Sequence, residues 1–185
     1  ECVSAMKEAV TVPVTVKCRI SVDDQDPEIA LDELASRVFA AGADALWVHA
    51  RKAWLQGLSP KENRDIPPLD YGRVYRIKQE YPDRFIGING GIQSLREAEE
   101  HLNHVDGVML GRAAYHSPML LADVDAAIFG EQRDTIDYHL LFDTMAGYAE
   151  RHIAAGGRLG HVTRHMVGLF QGMPGARRYR QILST

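Results

Sequence analysis

The run Pro13-Val14-Thr15-Val16-Lys17-Cys18-Arg19-Ile20 alternates two kinds of side chain. Successive residues of an extended strand face opposite sides. Val14, Val16, Cys18 and Ile20 therefore make a row suited to burial, and Thr15, Lys17 and Arg19 share the other face. Two cations in a sheet interior, with no carboxylate in their own run, are costly to desolvate unless something electron-rich meets them. An anionic ligand answers that need; an ion pair with a residue from another strand is the structural alternative. In the run Asp44–Ala50, Leu46, Val48 and Ala50 form the apolar row and Trp47 and His49 the opposite one. His49 is expected in the same layer as Lys17, at the end of its strand. An imidazole there can hydrogen-bond a ligand near neutral pH, although a lone histidine also serves as an ordinary hydrogen-bonded core or loop residue.

Two glycine corners complete the set. Ile88-Asn89-Gly90-Gly91-Ile92 and Leu110-Gly111-Arg112 each join a strand-like run to a helix-like one. Without a Cβ, backbone N–H groups can approach an anion closely. The helix that follows directs its positive end the same way, and Arg112 adds a bidentate donor. Either corner alone could be an ordinary tight turn. Two in consecutive units, one with an arginine, read as a phosphate site. Cys2 and Cys18 form no CxxC pattern, so neither a zinc site nor a disulfide framework is expected.

Four strand–helix units position these residues. The strands are expected at 12–20, 44–50, 84–89 and 107–110. The helices are expected at 28–41, 71–81, after the capping-box pattern Ser94-x-x-Glu97, and over 111–129. A long loop with Pro60, Pro67 and Pro68 spans 51–70. Such alternation implies a parallel sheet with helices outside it. No GxGxxG follows the first strand, which weakens a dinucleotide-binding reading. A (β/α)8 barrel carries its active site at the C-terminal rim of the strands and often holds a phosphate after the last two, but it needs about eight units. The expected fold class is therefore α/β: the second half of a (β/α)8 barrel over 1–130, followed by a small all-helical domain over 131–185. In that second part helices are expected at 136–154, 159–170 and 175–184. Glu1–Val10 carries helical apolar spacing with no initiator Met and no signal peptide, so the chain reads as a piece that opens inside a helix. The open edges of a half barrel predict self-association.

Composition narrows the function. With 185 residues, 45% of them hydrophobic, the chain is not intrinsically disordered. No apolar run approaches the ~18 residues of a membrane span, and two cysteines suit a reducing cytoplasm. The net charge of −4 conceals an asymmetry: 151–185 carries six Arg and no Asp or Glu, +6 against −10 for the remainder. A one-sign segment of this kind suits a polyanion, or is a solvated helical face.

The stretch from His49 to Leu69, HARKAWLQGLSPKENRDIPPL, resembles the signature loop of the tRNA-dihydrouridine synthases, in particular their bacterial A subgroup. VTVKCRI (14–20), INGGI (88–92), DGVMLGRAAY (106–115) and GARRYR (175–180) resemble the same family. The resemblance implies a (β/α)8 barrel with a helical domain, bound FMN, NADPH as reductant, and reduction of uridines in the tRNA D-loop. It implies that Lys17 meets the flavin ring system, that His49 contacts FMN, and that Asn89, Gly90, Gly91, Gly111 and Arg112 hold the FMN phosphate. Lys61 and Arg64 of the loop and Arg177, Arg178 and Arg180 of the tail become the RNA-binding residues. The family's proton-donor cysteine has no match at Cys2 or Cys18, so the chain alone is expected not to catalyse. Two other readings compete: a small-molecule FMN barrel of the dihydroorotate-oxidising type, which has no use for a basic tail, and a non-catalytic RNA-binding module.

Overall fold

The computed structural model describes residues 1–132 and 135–184. After a short opening helix, α1 (Cys2–Ala9), four strands alternate with helices: β1 (Thr15–Arg19), α2 (Pro27–Ala40), β2 (Ala45–His49), α3 (Tyr71–Glu80), β3 (Phe85–Asn89), α4 (Leu95–Leu102) and β4 (Gly107–Met109). The strands form one parallel sheet in the order β1-β2-β3-β4.

Local chemistry sets the boundaries. Asp26 caps α2 by accepting from Glu28 N–H at 2.9 Å, with Pro27 in the first turn. Asp70 caps α3 by accepting from Arg73 N–H at 2.9 Å. β1 is shorter than the expected 12–20 because Asp44 accepts from Val14 N–H at 2.6 Å, just before the ladder begins at Thr15.

The core lies between one face of the sheet and the covering helices. It includes Leu31, Ala35 and Phe39 of α2, Val74 and Ile77 of α3, Ala98 of α4, and Leu46, Val48, Ile86 and Ile88 of the strands, with Val16 and Cys18 packed against it. Arg73 is fully buried and ties α3 to α2, donating to the carbonyls of Pro27 and Glu28 at 3.0 Å and pairing with the carboxylates of Glu28 and Asp32.

The chain divides into two compact units: Glu1–Ile92 with Arg96–Gly111, and Gln93–Leu95 with everything from Arg112 onward. The expected boundary at 130 thus differs from the compact division near Gly111. From Arg112 the described residues form α5 (Arg112–His116), a 3-10 turn (Pro118–Asp123), α6 (Val124–Phe129), α7 (Tyr138–Ala154), α8 (Gly160–Thr163) and α9 (Ala176–Leu183). Residues 133, 134 and 185 of the expected helical segment lie outside the described residues. Two expected helices are corrected. The stretch 111–129 breaks at Ser117-Pro118, since proline lacks an N–H and restricts the residue before it. The stretch 159–170 is α-helical only through Thr163 and continues as turns. Gly168 sits where an added Cβ would stand 2.4 Å from the carbonyl oxygen of His116. In this unit Phe170, Tyr179, Phe142 and Tyr138 pack as an aromatic cluster. No helix among the described residues is long and apolar enough to cross a membrane.

Candidate functional site

The parallel register orders the face opposite the helices into rows. Lys17, Trp47, Gly87 and Gly107 are successive partners, and the next row toward the C-terminal rim is Arg19, His49, Asn89 and Met109. Lys17 and His49 therefore share one face. The expectation that they share one layer is corrected: the row partner of His49 is Arg19, and Lys17 lies one step below, beside Trp47. The indole of Trp47 lies across the neighbouring strands, so that an added Cβ would fall 2.2 Å from it at Gly87 and 2.9 Å from it at Gly107. Those glycines let the ring lie flat on the sheet, a feature the strand parity left unread.

Lys17 and Arg19 behave differently. Lys17 is exposed and makes no hydrogen bond or ion pair with another described residue. Arg19 donates through Nη1 to the carbonyls of Lys52 at 2.7 Å and Asn63 at 2.8 Å. The expected anionic partner is thus replaced, for Arg19, by backbone carbonyls of the long loop. Burial, together with the nearby Arg51 and Arg64 guanidiniums, lowers the Arg19 pKa from its ordinary value.

The loop itself is well ordered. Asn63 and the Trp54 backbone exchange two hydrogen bonds, at 2.6 and 2.7 Å. Ser59 and Glu62 form a reciprocal capping pair at the 3-10 turn Glu62–Arg64. These bonds hold the Glu62 carboxyl below its ordinary range. Arg51 donates to the carbonyls of Asp65 and Pro67, and Asp23, after β1, accepts from Leu55 N–H at 2.7 Å. Lys61 and Arg64 remain exposed on this frame.

At the rim of β3 the chain turns through Gly90 and Gly91, at φ 125° and 70°. Both values fall where L side chains are strained. Cβ atoms there would also collide: at Gly90 with the His49 ring at 2.7 Å, at Gly91 with Leu69 at 2.6 Å. His49 thus backs directly onto this corner. Asn89 donates through Nδ2 to the Met109 carbonyl at 2.7 Å, bracing the two strand ends. Gly111 differs from the first corner, because an added Cβ would meet nothing within 4 Å. Arg112 is the exposed first residue of α5, in the second compact unit.

Neither cysteine serves this face. Cys18 lies on the helix side of β1, where burial pushes its thiol up to about 12; Cys2 is exposed on α1. On α9, Arg177, Arg178 and Arg180 are all exposed, while Tyr179 turns inward and donates to the Met166 carbonyl at 3.2 Å. Trp54 is half-buried and lies under the Lys52 ammonium, 5.4 Å from the ring centre.

A family model described as dihydrouridine synthase (Dus) matches residues 1–185. The chain belongs to the dihydrouridine synthase family. It is 54% identical over 184 residues to a tRNA-dihydrouridine(20/20a) synthase of Shewanella oneidensis, covering 100% of this chain and 55% of that protein. It is 54% identical over 185 residues to the synthase of the same name from Vibrio vulnificus, 57% of which is covered. To that of Escherichia coli K12 it is 53% identical, with 54% covered. The chain thus spans about half the length of these curated relatives. Among solved structures, a Salmonella typhimurium RcsB response regulator aligns with 92% of the chain at 13% identity and a TM-score of 0.30, too low to inform the fold.

Proposed function

We propose that this chain is the FMN-phosphate-holding, tRNA-gripping part of a tRNA-dihydrouridine synthase that reduces uridine in the D-loop to 5,6-dihydrouridine with NADPH. The single observation that carries the reading is one sheet face that presents a Lys17 with no partner among the described residues and, one row nearer the rim, a His49 ring and a double-glycine corner. The four-stranded parallel sheet is half of an eight-stranded barrel, with a helical segment after it. The residues fit FMN: Gly90 and Gly91 leave backbone where a Cβ would otherwise stand, and Lys17 offers a cation that no other described residue neutralises.

FMN, when bound and reduced by NADPH, supplies a hydride for C6 of a uracil. Lys17 brings positive charge to the electron-rich edge of the ring system. His49 contacts the cofactor and walls the corner. Backbone N–H groups of Asn89, Gly90 and Gly91, with Gly111, hold the phosphate. Cys18 cannot give the C5 proton, since its thiol is on the wrong face of β1, and Cys2 lies on α1, outside the sheet. These 185 residues by themselves therefore do not turn over. Lys61 and Arg64, with Arg177, Arg178 and Arg180, meet RNA phosphates, an interaction that weakens with salt.

Titration of the chain with FMN, followed by flavin fluorescence, tests this reading. It predicts saturable binding that weakens in Lys17→Ala; no binding, or binding indifferent to that change, would refute it. Dihydrouridine formed by the chain alone from unmodified tRNA, FMN and NADPH would refute the inactivity.

A further inference from the structure

The Gly90–Gly91 corner is held from its outer side by a tyrosine that no catalytic reading uses. Tyr71, the first residue of α3, donates its hydroxyl to the Gly90 carbonyl at 2.7 Å. The same oxygen stands 3.0 Å from where a Cβ would be at Gly91. The ring is fixed in turn: buried His101 of α4 packs edge-on against it at 4.4 Å, and the Tyr75 hydroxyl meets His101 Nδ1 at 2.7 Å. Burial raises the Tyr71 pKa above its ordinary value, so the hydroxyl keeps its proton.

A trans peptide is planar, and its C=O and N–H point in opposite directions. The peptide joining Gly90 to Gly91 is trans. Drawing the Gly90 carbonyl toward Tyr71 therefore turns the Gly91 N–H away from α3. That N–H donates to no other described residue, and Gly91 is exposed. Glycines at positive φ are otherwise the most mobile points of a backbone, and an anion-binding amide is effective only when its direction is set before the anion arrives.

We infer that Tyr71 is a positioning residue for the anion corner: its hydrogen bond to the Gly90 carbonyl aims the Gly91 N–H at the phosphate of the bound flavin nucleotide. This inference rests on the proposed FMN site and adds to it a residue outside the cofactor's contact shell. Its effect is confined to the phosphate end of the ligand.

The test compares FMN with riboflavin, which has the same ring system and no phosphate, by fluorescence quenching on the wild-type chain, Tyr71→Phe and Tyr75→Phe. One neutral hydrogen bond's contribution predicts that Tyr71→Phe weakens FMN by about 3- to 10-fold and leaves riboflavin within about two-fold. Tyr75→Phe, which removes the bond to His101 and leaves the Tyr71 hydroxyl on the Gly90 carbonyl, changes the FMN-to-riboflavin ratio by less than Tyr71→Phe does. Equal losses for both ligands in Tyr71→Phe, or no loss for FMN, would overturn the positioning role. A wild-type chain that binds FMN no more tightly than riboflavin would overturn the phosphate reading of the corner and this role with it. A measurement without ligand guards against a variant that folds poorly: amide relaxation of the wild-type chain should find Gly91 as rigid as β3, and a freely mobile Gly91 amide would refute the clamp.

Discussion

Replacing Arg19 by alanine removes two of the bonds that tie the 51–70 loop to the end of β1, those to the carbonyls of Lys52 and Asn63. Hydrogen bonds from a charged donor are worth about 1.5–3 kcal/mol each, and less where water can take over. Arg19 is half-buried, and the two carbonyls can rehydrate once the loop lifts. Rehydration takes each bond below that range, to about 1 kcal/mol, so about 2 kcal/mol for the pair, which is a factor of roughly 30 in the loop's opening equilibrium. The loss should be local. Asn63 keeps its reciprocal bonds to Trp54, and Arg51 keeps its bonds to Asp65 and Pro67, so the loop lifts as a unit and the sheet stays paired. Hydrogen exchange reads this directly. Amides of Ala53 and Leu55, which donate to Ser21 and Asp23 outside the loop, should exchange on the order of 30-fold faster in Arg19→Ala, with those of Trp54 and Asn63, bonded within the loop, and those of β2 and β3 unchanged. Arg19→Lys should recover only part of the effect, because both bonds leave Arg19 Nη1 in the rigid guanidinium plane, a geometry that an ammonium on a flexible stem does not hold. Unaltered exchange in the loop, or equal acceleration in loop and strands, would refute the anchoring argument.

Three further outcomes follow from the same geometry. Gly87→Ala forces a Cβ to within 2.2 Å of the Trp47 ring, so urea unfolding should report about 2–3 kcal/mol of lost stability, partly restored by adding Trp47→Leu; a neutral effect would contradict the flat seating of the indole. His101 is held neutral by burial, its pKa lowered from 6.5. Its contribution is therefore complete above pH 6.5 and is lost as pH falls through the lowered value, because the unfolded chain takes up the proton first. The urea midpoint should decline below pH 6.5, and His101→Gln should flatten that decline; an unchanged slope would remove His101 as its source. Charge removal at Arg177, Arg178 and Arg180 together should reduce the slope of log affinity for tRNA against log salt by roughly 2 to 3, as measured by filter binding across salt concentrations. A slope equal to that of the wild-type chain would exclude α9 from the RNA contact.

What could be read from the residues alone follows periodicity. The alternation in β1 and β2 separates the core row from the row that faces away from the helices because a strand repeats every two residues, and the caps Asp26 and Asp70 stand where helices must begin. Interactions across long separations left no such trace. Arg19 meets the carbonyls of residues 52 and 63, and any residue type offers a carbonyl, so nothing in the sequence distinguishes an arginine that anchors a loop from one that awaits a ligand. The step between Lys17 and His49 depends on register, which parity leaves undetermined by two residues. The close approach of Gly168 to the His116 carbonyl, 52 residues away in the numbering, is likewise a contact that no local pattern announces. Tyr71 reads as an ordinary helix-opening aromatic until its hydroxyl is seen on Gly90.

The crystal structure of the chain soaked with FMN tests the central claim most directly. The phosphate should lie within hydrogen-bond reach of the Asn89–Gly91 backbone, with the ring system on the sheet face of Lys17 and His49. A flavin bound on the helix-covered face, or a phosphate seated away from the glycine corner, would contradict it.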